Sequence, residues 1–363
     1  MTTAIRRFID RRLGRGEAAI TVPIFDGPLL PDAALDEAEV FATLRGVDNL
    51  CATEKGLIAS SGGRVLRLSW SGRPAEEIAT RAGEITALAA GKGMLAIGLD
   101  GAGVTILGGA HDGRSFGDDG AGPRHPTALA FLDTETLLVT EGSAVNRARD
   151  WRRDLMEKGA SGSLWKLHLA SGRAERIVAG LHWAAGVAAT GSRRVWLAES
   201  WRPRIVAVDL ASGRIETVLP HLPAYPARIA PATGAGFWLS FYSCRNQLVE
   251  FILREDGYRR RMLAEVPEPA WMAPALVSGA SFREPMQGSQ LRRMGVTKPF
   301  SETRSYGLVV QCSPQMQPLR SFHSRADGAA HGCVSACERG DDLFVAAKGN
   351  GKLLRLRGVA RES

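Results

Sequence analysis

Long apolar runs are missing from this chain. Nothing in it approaches the ~20 consecutive apolar residues that a membrane helix requires, and the first thirty residues lack the apolar core of a secretory signal. No transmembrane segment is expected, and the chain is expected in the cytoplasm. Cysteine is scarce as well. The five residues, Cys51, Cys244, Cys312, Cys333 and Cys337, form an odd set with no CxxC pair. That argues for reduced thiols and against a disulfide framework or a zinc knuckle. A G-x-S-x-G elbow is absent, so no hydrolase triad of that kind is supported, and the glycines form no phosphate loop. The net charge of +8 comes from Arg more than Lys and invites a nucleic-acid reading. No RNP motif, basic helix-turn-helix or zinc finger backs it, so no nucleic-acid partner is expected.

What the chain does have is a repeat. A short apolar strand of one texture returns six times: GLIASS at 56–61, MLAIGL at 94–99, LLVTEG at 137–142, VWLAES at 195–200, FWLSFY at 237–242 and LFVAAK at 343–348. Four copies lead into a second stretch with Gly-rich punctuation, at 63–73, 162–173, 203–214 and 351–358. Upstream of each copy sits another short strand: DNLCA, EITALA, PTALAF, AGVAA, ARIAP and CVSAC. Alternation broken by tight turns describes strands joined by hairpins. Six units of about four strands predict an all-β chain, a six-bladed β-propeller.

The expected organisation is a basic N-terminal helix or extension over 1–20 and a single propeller over 21–363. Lid-forming insertions are expected at about 143–161 and 267–300. In AIRRFIDRRLGRG at 4–16, Ile5, Phe8, Ile9 and Leu13 share one helical face among arginines. Such a segment can dock on the propeller or make peripheral contact with an anionic membrane surface.

In a propeller, ligands meet the mouth of the central channel, where the inner strands converge. Here the sequence carries a resemblance. VPIFDGPLLPDAALDEAEVF at 22–41, AAGVAATGSRRVWLAES at 184–200, LPAYPARIAPATGAGFWLS at 222–240 and the stretch 321–356 resemble the strictosidine synthase-like branch of the SMP-30, gluconolactonase and paraoxonase propellers. The likeness spans most of the chain from about residue 20. It implies activity on a small organic molecule, and in lactone- or ester-hydrolysing members a channel calcium held by Glu, Asn and Asp. At the matching places this chain has Asp48, Ala185 and, in Pro226–Ala227–Arg228–Ile229, Ala227 followed by Arg228. Calcium needs about 6–8 oxygen ligands; the methyls of Ala185 and Ala227 argue against it, and no other cofactor is expected. The synthase's glutamate would fall at about Val334, so the synthase activity itself is not expected.

Arg228 is expected to stand in for the metal's charge, pairing with Asp48 or Glu84 or meeting an anionic ligand, because its donor fork stays charged and grips carboxylates bidentately. Asp48, Glu199 and His331 are the candidate catalytic groups. Substrate contacts are expected from Arg228, Trp183, Trp201, Glu141, Tyr242 and His323. Each has a plainer alternative: strand-end carboxylates cap turns, histidines at strand mouths are often hydrogen-bonded scaffold, and tryptophans such as Trp196 and Trp238 wedge between blades. The expected function is hydrolysis of a lactone or ester in the channel without calcium. The alternatives are a non-catalytic small-molecule binder and a scaffold for a protein partner.

Overall fold

The computed structural model describes residues 21–70, 75–117, 120–234, 236–279, 281, 284–285, 292–293, 296–297 and 303–359. The basic segment 4–16 and much of 280–302 lie outside them. Six four-stranded antiparallel sheets make up the described ring. The innermost strands are Val47–Thr53, Ile85–Gly91, Pro126–Phe131, Ala184–Ala189, Ala224–Pro231 and Cys333–Arg339. They define blades 1 to 6. In blades 1 to 4 the chain runs outward through consecutive hairpins. Blade 6 closes the ring differently: its outermost strand is Glu39–Thr43, which pairs with Lys352–Leu356 from the other end of the chain.

The texture of the repeat follows from where the core lies. Hydrophobic clusters fill the spaces between neighbouring blades, so each sheet is covered on both faces. In blade 4, Val187 and Leu197 pack toward blade 3, whereas Ala188, Trp196 and Ala198 pack toward blade 5. A strand buried on both faces must read as a continuous apolar run rather than an alternating one. The second strands of blades 1 and 3, Gly56–Ser61 and Thr136–Glu141, are buried at every position. Trp196 and Trp238 lie in the layers between blades 4 and 5 and between blades 5 and 6.

Ahead of its entry into blade 6, the N-terminal segment fastens to the outer strand of blade 5, Pro318–Ser324. Asp32 accepts from the His323 amide at 2.8 Å, and Asp36, in the one-turn helix α1 (Ala34–Glu37), accepts from Ser324 Oγ at 2.8 Å. Phe25 stacks on Tyr306 with ring centroids 5.5 Å apart. These contacts account for the 22–41 stretch.

Two insertions rise on one side of the ring. The first, in blade 3, forms α2 (Trp151–Glu157). The second separates Phe237–Cys244 from Gly307–Cys312 in blade 5 and starts earlier than expected, with helices α3 (Gln247–Arg254) and α4 (Asp256–Glu265). Asn246 caps α3 by accepting from the Val249 amide at 2.8 Å, the usual way to satisfy an orphaned first-turn donor. Leu155, Met156, Ile252, Met262 and Trp271 form one apolar cluster that joins the three helices. Among the described residues, no helix is long and apolar enough to cross a membrane.

Candidate functional site

Every innermost strand is irregular near the lid-side end. Its register against the second strand slips at Val47/Leu50, Ile85/Ala87, Pro126/Ala128, Ala184/Gly186 and Cys333/Ser335, and in blade 5 twice, at Ala224/Pro226 and Pro226/Ile229. A bulge leaves a residue outside the ladder and re-aims its groups. Repeated in six converging strands, it places Asp48, Thr86, Thr127, Ala185, Arg228 and Val334 around the channel.

Arg228 collects what the bulges release. Its Nη1 donates to Asp48 Oδ1 at 2.6 Å and to the Val334 carbonyl at 3.1 Å. Nη2 donates to the Thr86 carbonyl at 2.7 Å, and Nε to the Thr127 carbonyl at 3.2 Å. One guanidinium thus bridges blades 1, 2, 3 and 6 from blade 5, using its rigid fork. Gly186 permits this. A Cβ there would collide with the Ala227 carbonyl and lie 2.9 Å from Arg228 Cα.

The other carboxylate oxygen of Asp48, Oδ2, accepts from Lys348 Nζ at 2.7 Å; Lys348 also reaches Glu84 Oε1 at 3.3 Å. Two cations therefore balance two carboxylates. Burial raises the Asp48 pKa, but Arg228 and Lys348 outweigh it and hold the carboxyl below its ordinary value. Burial works to lower Lys348, and Asp48 and Glu84 outweigh it, so the ammonium is held above its ordinary value. These groups, with Thr86, Thr127, Trp151, Tyr242 and Leu276, line a cavity of about 30 Å³ at the lid side of the channel, room for little more than a water.

Above the ions lies an aromatic stack. Trp151 of α2 stacks on Tyr242 at 5.2 Å, and Trp183 on Trp201 at 5.3 Å. Asp154, buried in α2, accepts from Trp201 Nε1 at 2.9 Å and Asn146 Nδ2 at 3.0 Å, tying lid to stack. Trp183 donates to Tyr242 Oη at 3.3 Å and holds a left-handed backbone, φ 62°, uncommon for so large a residue. Burial pushes the Tyr242 hydroxyl pKa up. The Ala185 methyl packs with Trp151 and Trp183.

Of the residues expected at the site, Asp48, Arg228 and Tyr242 meet in the lid-side cavity, with Trp183, buried, and Trp201, partly buried, in the stack behind it. The structure does not bring Glu141, Glu199, His323 or His331 there. Glu199 accepts from the His182 amide at 2.8 Å and pairs with Arg204 at 2.6 Å. Glu141 holds the matching place in blade 3, accepting from the Arg124 amide, Ser163 Oγ and Trp165 Nε1. Both tie the entry to an innermost strand to its own blade. His331 lies between Ser305 Oγ at 2.8 Å and the Arg325 carbonyl at 2.7 Å, and burial lowers its pKa. His323 sits between Tyr306 Oη and Ser321 Oγ, lowered to about 4 by burial. Glu84 meets Lys348 rather than Arg228. Lys348 went unnoticed although its signal was available: it follows a second strand where blades 1, 3 and 4 carry Gly62, Gly142 and Ser200.

A calcium ion does not fit these residues. The carbonyls of Thr86, Thr127 and Val334 already accept from Arg228, both Asp48 oxygens carry a cation, and Ala185 and Ala227 offer methyls. Among the described residues, no group of three or more His, Cys, Asp or Glu side chains is placed to hold a metal.

Beyond Arg228 the channel opens into a second cavity, of about 570 Å³, lined by the later residues of all six innermost strands. Its side chains are mostly Ala, Leu, Val and Ile, with Lys92 and Glu338 from the strand ends farthest from the lid.

No protein-family model matches the chain, and no curated protein matches it. Solved structures do. A luciferin-regenerating enzyme aligns with TM-score 0.55 and 10% identity over 89% of this chain and 94% of its own. A candidate gluconolactonase aligns with TM-score 0.55 and 11% identity over 88% and 91%. The calcium-binding protein regucalcin from Agrobacterium tumefaciens aligns with TM-score 0.51 and 11% identity over 88% and 92%. At such identity the likeness carries architecture: the chain is a six-bladed propeller whose neighbours among solved structures are of the gluconolactonase and regucalcin type.

Proposed function

We propose that this is a lactonase-like propeller that binds a small organic molecule at the lid-side end of its channel without calcium. The observation that carries the reading is Arg228, which occupies with a guanidinium the ring of oxygens that a metal would need. Lys348 supplies a charged donor at the cavity wall, and Trp151 and Tyr242 supply flat apolar faces. A ligand carrying a carbonyl or carboxylate beside a ring or short carbon skeleton matches both. Since the cavity holds about 30 Å³, binding requires α2 and the stretch around Leu276 to move outward.

Binding without turnover is favoured because Asp48, the most central carboxylate, is locked between two cations. A second reading, hydrolysis of a lactone or ester, rests on Glu84. Its side chain is 35% exposed and only Lys348 engages it among the described groups, which leaves it placed to act as a general base toward water.

The test is calorimetry and thermal unfolding of chelator-treated protein with lactones, esters, carboxylates and amines, followed by turnover assays on whatever binds. A ligand that binds only the folded state raises its stability. The expected result is a stabilising carbonyl or carboxylate compound whose affinity falls at least tenfold in Trp151→Ala and Lys348→Met, with no shift from calcium. Stoichiometric stabilisation by calcium would refute the reading. Turnover lost in Glu84→Gln would select the hydrolase.

A further inference from the structure

The charges around the lid-side cavity do not cancel. Its wall carries two carboxylates, Asp48 and Glu84, and three cations, Arg149, Arg228 and Lys348. Four of these answer one another: Arg228 and Lys348 hold Asp48 at 2.6 and 2.7 Å, and Lys348 reaches Glu84 at 3.3 Å. Arg149 is left over. Among the described residues its one ion pair is a contact of 3.8 Å with Asp150, the next residue along, and the two side chains are 60% and 38% exposed. Asp150 is not part of the cavity wall, and an exposed pair of that length holds neither partner firmly. The wall therefore bears one positive charge in excess, on a side chain that solvent reaches.

The main chain at Arg149 is fixed from both directions. On one side Asp100, whose side chain is 5% exposed, accepts from the Ala148 amide at 3.1 Å and shares a hydrogen bond of 3.1 Å with His125 Nδ1. Asp100 follows the second strand of blade 2, Met94–Leu99, and its own amide donates to the Glu84 carbonyl at 3.0 Å. The first turn of the blade 3 insertion is thus tied to the blade that supplies Glu84. On the other side, two residues further on, Trp151 stacks on Tyr242.

We propose that the lid-side ligand is a monocarboxylate, with Arg149 and Lys348 receiving its carboxylate and Trp151 and Tyr242 covering its carbon skeleton. The proposal rests on the lid-side reading above and narrows it from carbonyl compounds at large to monoanions. A cleft with an excess of one sign draws ligands of the other, and a guanidinium fork grips a carboxylate through two parallel bonds. Lys348 commits donors to Asp48 and Glu84, which leaves one of its three for the ligand. A neutral ligand leaves the surplus cation unanswered, an amine adds to it, and a phosphomonoester, with about −1.5 to −2 charges at pH 7, overshoots it.

The probes are acid and amide pairs of matched shape: phenylacetate and phenylacetamide, benzoate and benzamide, hexanoate and hexanamide. Phenyl phosphate, 2-phenylethylamine and a set of neutral lactones and esters complete the panel, titrated by calorimetry into the chelator-treated whole chain. At least one acid is expected to bind at least tenfold tighter than its amide, the phosphate and the amine, and salt should erode that preference. Arg149→Gln should weaken the acid at least fivefold and leave the amide within twofold; with its side chain 60% exposed, the variant should fold as the wild type does. Arg261→Gln, 78% exposed and outside the cavity wall, should change neither. An acid and its amide that bind equally and are both lost in Trp151→Ala would overturn the monocarboxylate and leave the lid-side reading standing, as would a lactone or ester that binds where no acid does. Acid binding indifferent to both Arg149→Gln and Trp151→Ala would place the ligand elsewhere and overturn both, and so would an absence of saturable binding across the panel.

Discussion

The two ends of one channel are built from the same six strands and differ in almost every chemical respect. At the lid side, five charged side chains, Asp48, Glu84, Arg149, Arg228 and Lys348, and three main-chain carbonyls close around a cavity of about 30 Å³. At the far side, small apolar residues enclose about 570 Å³. The bulge accounts for the division. Before it, side chains and carbonyls are released from the ladder toward the axis; after it, regular pairing resumes and side chains return to the layers between blades. Polar chemistry is thus confined to one layer of residues, and Arg228 is the partition.

Removing the partition should have the largest effect. Arg228→Ala strands Asp48 with Lys348 alone and leaves the carbonyls of Thr86, Thr127 and Val334 without their donor. Deleting one member of a buried ion pair costs about 3–5 kcal/mol, and urea unfolding followed by tryptophan fluorescence should show a loss of that size. Arg228→Lys, which keeps the charge and loses the fork, should recover only part. An unchanged urea midpoint would mean that the two ends are not held apart by this residue.

Gly186→Ala comes next. The new methyl meets the Ala227 carbonyl and Arg228 Cα, both main-chain atoms that cannot swing aside. Overpacking of this kind costs about 1–3 kcal/mol. Because the strain acts on the Arg228 backbone, the loss should be smaller in an Arg228→Ala background than in the wild type, as expected for coupled neighbours. Equal losses in both backgrounds would place the strain elsewhere in blade 4.

These two residues also show how much was legible in advance. The blades were readable because burial on both faces makes every second strand a conspicuous apolar run. Asp48 and Arg228 were readable because they fall where the resembling propellers carry oxygen ligands for a metal, one a shorter carboxylate and the other a cation. Glu141 and Glu199 stood out as carboxylates ending the second strands of blades 3 and 4, yet their task is to tie strand entries within a blade, and a sequence does not distinguish a carboxylate turned into its own sheet from one turned to the axis. Lys348 is marked in the sequence as a cation where blades 1, 3 and 4 carry Gly62, Gly142 and Ser200, but its partners, 264 and 300 positions away, are not. Helices α3 and α4 were passed over although Asn246 and the spacing of Val249 and Ile252 announce the first of them. The far cavity has no motif at all: it is the space left by alanines.

The acid limb of stability should separate the two ends further. Arg228 and Lys348 hold the Asp48 carboxyl below its ordinary value against the opposing effect of burial. Its contribution is therefore complete above the unfolded value near 4 and is lost as pH falls through the lower folded value. Asp48→Asn should flatten that part of the pH–stability curve, while Asn49→Asp, one residue along and on the far side, should lower stability most above pH 4, where the new carboxylate ionises without a counter-ion. Parallel curves for the two variants would erase the proposed boundary between Asp48 and Asn49.

The smallest expected effect is at the edge of the charged layer. The Glu84 and Lys348 side chains are 35% and 24% exposed, and their contact is 3.3 Å long. An ion pair that solvent reaches is worth about 0–1 kcal/mol, so Glu84→Gln should cost no more than that in urea. Lys348 itself should show a sign opposite to Asp48. Its pKa is raised by Asp48 and Glu84 over the effect of burial, so its contribution is present below the unfolded value near 10.4 and disappears as pH climbs through the folded one. Lys348→Met should flatten the alkaline limb and leave the acid limb steep, because Arg228 still faces Asp48. If it flattened both limbs equally, Lys348 rather than Arg228 would be the residue that keeps the charged end of the channel together.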